Sequence, residues 1–119
     1  MMNEYMFIYE GGDKNWFETA TPEEIKTVMG QWGAWFQQLE ASGHLRNPGA
    51  PLGPGGAIVS RNGSGIKTDT ALPEVKELIG GYSIVAANSL EEAVKLAQGS
   101  PHLNDRVPAT VVIRPVIQV

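Results

Sequence analysis

Cysteine is absent from the 119-residue chain, which excludes a disulfide framework, a thiol nucleophile and a thiolate metal site. Histidine is scarce. His44 and His102 stand far apart, so no metal-ligand spacing is legible, and neither a metal nor a cofactor is expected. Positive charge is thin as well: nine Lys and Arg against thirteen Asp and Glu give a formal net charge of -4. No Lys/Arg stripe offers itself to phosphates, which argues against nucleic acid. Apolar runs such as VPATVVIRPVIQV are too short and too interrupted to span a bilayer. The opening residues carry neither the basic nor the apolar region of a secretory signal, so a cytoplasmic location is the expectation. No G-x-G-x-x-G, Walker-type loop or G-x-S-x-G elbow is present, and the GPGG run at 53–56 lacks a strand before it and a helix after it.

What is present describes an ordinary globular chain, 42% hydrophobic and 18% charged. Residues 1–119 form one domain, long enough to bury roughly 65% of the unfolded surface in a single core. Fourteen glycines and eight prolines punctuate it without making it low-complexity.

Alternation and caps set the elements. Glu4 to Tyr9 is aromatic-rich and predicts a strand, with Met6 and Ile8 on one face and Tyr5, Phe7 and Tyr9 on the other. Both faces are apolar, so one covers helices and the other asks for a second cover, most simply a dimer partner. Gly11 to Ala20 reads as a loop carrying Trp16 and Phe17. Thr21-Pro22-Glu23-Glu24 is a capping box with proline at the first helical position. Ile25, Val28, Met29, Trp32, Phe36 and Leu39 form one stripe behind it, with Trp35 on its edge. Gly30 and Gly33 weaken this helix and leave room for a neighbouring backbone. Ser42-Gly43 ends it.

His44 to Gly56 reads as a Pro/Gly connector. A hairpin follows, turning at Asn62-Gly63 between Ala57–Arg61 and Gly65–Asp69. Pro73 to Ile79 is a short helical turn closed by Gly80-Gly81. Tyr82 to Ala87 is a strand, and Ser89-Leu90-Glu91-Glu92 a second capping box. The helix behind it shares Leu90, Ala93, Val94 and Ala97 on one face. Thr110 to Val119 is the last strand, and Pro115 within it favours an edge. This order predicts an α+β fold of ferredoxin-like type. It is a split β-α-β arrangement with an inserted β-hairpin and two main helices on one face of a mostly antiparallel sheet.

The run Asp69-Thr70-Ala71-Leu72-Pro73-Glu74-Val75-Lys76-Glu77-Leu78-Ile79-Gly80-Gly81-Tyr82, continued by Ala86-Ala87-Asn88-Ser89-Leu90-Glu91-Glu92-Ala93, resembles the DGPF branch of the YCII-related proteins. The opening strand, the Thr21–Glu24 helix start and the closing Val111–Val116 strand fit the same resemblance. It implies a ferredoxin-like domain that pairs through its sheet faces as a homodimer, and small-molecule binding or chemistry in a cleft between sheet and helices. Some relatives are credited with a His–Asp pair that moves a proton. Two departures stand out. After Asp69 the Gly-Pro turn of the signature is replaced by Thr70-Ala71-Leu72. Trp32 occupies the place on the first helix where relatives carry histidine, so that pair does not carry over in its usual form.

Candidate site residues follow. His102 is the nearest available base and Asp69 its potential partner, giving a catalytic pair. In structural terms His102 reads as a loop residue and Asp69, or Thr70, as a cap of the Pro73 turn. Trp16 and Trp32, together with Trp35, Tyr5 and Tyr9, are candidates to line a cleft for a planar ligand. Trp32 fits core packing equally. The resemblance adds Glu74 as a ligand contact, although Glu74, Lys76 and Glu77 otherwise read as a solvated face. His44 reads as a solvated residue at the helix end. Two functions follow: a non-catalytic small-molecule-binding or accessory domain, or a lyase or isomerase using the His102–Asp69 pair. Loss of the helix histidine favours the first.

Overall fold

The computed structural model describes residues 2–13, 16–53, 55–63, 65–70, 79–104 and 107–119. The expected helical turn at Pro73 falls outside these residues.

The first strand, β1 (Asn3–Gly11), alternates as its sequence requires, burying Tyr5, Phe7 and Tyr9 and leaving Met6 and Ile8 half-buried. A short helix α1 (Trp16–Thr19) replaces the expected loop. Next comes α2 (Pro22–Ala41). Its capping box forms: Glu24 N–H donates to Thr21 Oγ1 at 3.1 Å and Thr21 N–H to Glu24 Oε1 at 3.1 Å, so two orphan amides are satisfied reciprocally.

Four further strands and one helix follow: β2 (Leu45–Pro51), β3 (Ile58–Asn62), β4 (Gly65–Asp69), β5 (Ile79–Ala87) and α3 (Leu90–Ala97). A 3-10 turn (Pro101–Asn104) then leads into β6 (Ala109–Pro115). The main sheet has the order β2-β5-β1-β6, antiparallel throughout. Setting the hairpin β3–β4 aside as an insertion, this is the ferredoxin-like order expected from the element sequence.

The core lies between one sheet face and the two long helices. Tyr5, Phe7, Tyr9, Val85 and Ala87 from the sheet meet Trp35 and Leu39 from α2 and Ala93 and Ala97 from α3. Phe7 is fully buried, with its ring stacked on Trp35 at a centroid distance of 6.3 Å, a burial that contributes about 2–3 kcal/mol. Trp35 is therefore at the centre of the α2 stripe, not on its edge, while Met29 is exposed. A similar rotation applies to α3. Ala93 and Ala97 are buried, with Leu96 packed against the core, whereas Leu90 and Val94 face outward. Alanines let the helix sit close to the sheet, and that approach selects the face. The room left by Gly30 and Gly33 is not filled by any described neighbour within 4 Å.

Several boundaries differ from the sequence reading. The connector at His44–Gly56 contains an edge strand, β2, whose pairing with β5 shifts register between Leu45 and Asn47 and again between Asn47 and Ala50. Pro48 is accommodated because the strand is at the edge, and Gly49 takes φ +72°, which only glycine adopts freely. Gly80 and Gly81 lie inside β5 and do not break it. The register slips between Tyr9 and Glu10, so that Tyr9 pairs with Gly81 and Glu10 with Ile79. This is a β-bulge, of the kind that re-aims side chains. The hairpin turns one residue later than expected, its last pair being Asn62 with Gly65. Gly63, with φ +66°, begins the turn.

The second capping arrangement also differs. Ser89 Oγ accepts from Glu92 N–H at 3.1 Å, but Glu92 Oε1 returns to the backbone N–H of Asn88 at 2.8 Å, one residue before the cap. His44 is more than a solvated residue at a helix end. Its Nδ1 lies 2.7 Å from the carbonyl oxygen of Ala86, and its own carbonyl accepts from Ala86 N–H, fixing the start of β2 to the end of β5.

Candidate functional site

A cleft of about 340 Å³ opens where the upper ends of β1 and β5 meet β2, α1 and α2. That volume falls within the range of small-molecule sites, roughly 300–1,000 Å³. Each wall has a local cause. Strand alternation turns Tyr9 and Ser83 to the helix side, the helical stripe supplies Trp32 and Phe36, and α1 brings Trp16 and Phe17. Pro48 to Leu52 of the bulged edge strand and its exit form another side, and the 3-10 turn contributes His102.

The rings interlock. Trp32 meets Tyr9 edge-on at 5.1 Å and 79°, and is tilted against Phe36 at 5.7 Å. Trp16 meets Phe17 edge-on at 5.0 Å and 75°. Edge-to-face contacts of this kind suit the aromatic quadrupole and hold each ring in orientation.

The polar groups are concentrated in one corner. Tyr9 Oη lies 2.9 Å from Ser83 Oγ, and Ser83 Oγ lies 2.8 Å from the carbonyl oxygen of Pro48. A carbonyl has no proton to give, so Ser83 donates to Pro48 and must therefore accept from Tyr9. Beside them, the His102 ring is 5.4 Å from the Tyr9 ring, and its Nε2 lies 2.7 Å from the carbonyl oxygen of Glu10. The same reasoning makes His102 Nε2 the donor in that hydrogen bond. Burial pushes the Tyr9 phenol up to about 12, against a smaller opposing effect of its hydrogen bond with Ser83. Tyr9 thus stays protonated across neutral pH and does not serve as a base there.

Of the sequence candidates, the structure brings Tyr9, Trp16, Trp32 and His102 to this cleft. Tyr5 is in the core at the other end of β1 and Trp35 is buried against Phe7, so neither lines it. Asp69 ends β4 in the separate hairpin and is not among the lining residues. Among the described residues, the His102 ring contacts Glu10 and Tyr9. Glu74 falls outside the described residues. Sequence reasoning missed Ser83, Phe36 and the Pro48–Leu52 segment as cleft residues. A serine at an inward position of the apolar run Tyr82–Ala87 was the available signal for the first. Among the described residues no group of three or more His, Asp or Glu gathers as a metal site, and no helix is long and apolar enough to cross a membrane.

A four-stranded antiparallel sheet in this order, with two helices on one face and an aromatic cleft at one end, defines a ferredoxin-like α+β domain. The chain belongs to the YCII-related domain family, whose model matches residues 4–118. No curated protein matches the chain.

Proposed function

We propose that the protein binds a small apolar molecule in the cleft between α2 and the β1–β5 pair, and does so without catalysing its conversion. The observation that carries this reading is the concentration of rings from Tyr9, Trp16, Phe17, Trp32 and Phe36 around one polar corner. Aromatic walls with few convergent polar groups are the usual composition of such sites. The proton-transfer pair expected of His102 calls for Asp69, and Asp69 does not line the cleft. Tyr9, held protonated, does not replace it as a base.

A thermal-shift screen of small aromatic molecules tests this, because a ligand that binds only the folded state raises its stability. At least one compound should raise the melting temperature saturably and perturb tryptophan fluorescence, with both effects lost in Trp32→Ala. Failure of every compound to bind, joined to native mass spectra of untreated protein that show only the bare chain, would overturn the reading.

We also propose that two copies pair through the open sheet face. Met6 stands opposite Ile84, and Ile8 opposite Val112, on this face, while the core places both long helices on the other. Sedimentation at micromolar concentration should show twice the chain mass; a monomer would remove the proposal.

A further inference from the structure

The direction of every hydrogen bond at the polar corner of the cleft is fixed by a backbone carbonyl. Ser83 gives its only hydroxyl proton to Pro48, Tyr9 gives its own to Ser83, and His102 gives its Nε2 proton to Glu10. What this corner has left for a ligand is a lone pair on Tyr9 Oη, since the protons of Ser83, Tyr9 and His102 Nε2 are already engaged.

The neighbouring backbone amides are engaged in the same way. Gly12 N–H donates to the carbonyl of Pro108, Leu52 N–H to Gly80, and Gly49 N–H to Asn47 Oδ1. Pro48 and Pro51 have no amide proton. The indole N–H groups of Trp16 and Trp32 and the phenol of Tyr82 are further side-chain donors among the described lining residues, and they are uncharged. No Lys or Arg lines the cleft among the described residues, whereas the carboxylate-bearing Asp13 does.

We infer that the cleft selects flat, apolar molecules that carry an N–H or O–H donor and no anionic group. This rests on the binding reading above and specifies its ligand. A donor reaching the corner meets an acceptor whose own proton is already engaged, and chains of hydrogen bonds polarise one another in low dielectric. A carboxylate or phosphate there meets lone pairs. Buried without a partner, it keeps its desolvation penalty. A methylated analogue keeps the same flat ring, larger by one methyl, but leaves the Tyr9 oxygen unmatched.

The test compares indole, 1-methylindole and indole-3-carboxylate by isothermal titration calorimetry on the unaltered protein. Indole should bind about three- to tenfold more tightly than 1-methylindole, the worth of one hydrogen bond, and more tightly still than the carboxylate. In Tyr9→Phe the advantage of indole over 1-methylindole should shrink towards unity. The comparison of three ligands on the unaltered protein stands whether or not that variant folds. Equal binding of indole and 1-methylindole, or preference for the carboxylate, would overturn the donor requirement while the binding reading survives. Absence of binding by all three would overturn this inference, whereas the binding reading falls only with the broader screen.

Discussion

Tyr9 and Ser83, 74 positions apart in sequence, share a buried 2.9 Å hydrogen bond across the β1–β5 pair. Ser83 passes its own proton to Pro48 on the edge strand. Three neighbouring strands are thus tied by side chains as well as by their ladders. Tyr9→Phe removes one net bond and should cost about 0.5–1.5 kcal/mol in urea unfolding. Ser83→Ala leaves both the phenol and a carbonyl without this partner and should cost more, about 1–3 kcal/mol. The double variant should cost less than the sum, because both changes break the same bond. Strict additivity in the cycle would show that the bond contributes nothing.

The Tyr9 phenol also sets an alkaline limit. Its value is pushed up from 10.0 to about 12 in the folded state, burial being the largest cause. Below pH 10 both folded and unfolded states hold the proton and stability is unaffected. As pH rises from 10 towards 12 the unfolded chain releases it first, so stability is lost progressively, by up to about 2–3 kcal/mol. Tyr9→Phe should flatten that part of the urea-midpoint profile. A variant that follows the unaltered protein through the same window would exclude Tyr9 as the source.

Gly49 gives a backbone test. It has φ +72°, and a Cβ built there would overlap the carbonyl oxygen of Tyr82. Gly49→Ala combines an unfavourable backbone conformation with a collision against main chain that cannot rotate away. The cost should exceed the roughly 1 kcal/mol of an ordinary glycine replacement. Amide exchange should accelerate first in Leu45–Pro51, since the clash separates β2 from β5. Retained protection there would mean that the edge strand can shift to absorb the methyl.

These residues show what was legible in the sequence. The helices announced themselves through Thr21–Glu24 and Ser89–Glu92, because caps are local chemistry, and β1 through its alternating aromatics. The edge strand β2 has the sequence of a connector because two register shifts and Pro48 erase the period of two on which strand recognition depends. The faces of α2 and α3 were rotated by about one position. Hydrophobicity identifies which residues are apolar, but the approach of Ala93 and Ala97 to the sheet depends on their small size. Trp16, Trp32 and His102, which line the cleft, were legible as candidates by residue type alone. Ser83 was not, since its role exists only where β1, β5 and β2 come together.

Glu92 offers the acid-side test. Its carboxyl lies below the usual carboxylate value of 4.5 chiefly because it accepts the backbone N–H of Asn88. The Asn88 amide, His44 and Lys95 add smaller effects in the same direction. With His44 Nδ1 3.9 Å away, the carboxylate links the start of α3 to the junction of β2 and β5. A depressed folded value means that the stabilisation is present above the unfolded value of 4.5 and is lost as pH falls through the folded one. Glu92→Gln keeps an oxygen acceptor for Asn88 but has no proton to gain. Its urea midpoint should therefore lie below that of the unaltered protein at pH 7, and the two should converge on acidification. A constant difference between them from neutral to acid pH would assign the loss to packing at the helix start instead of to the charge on Glu92.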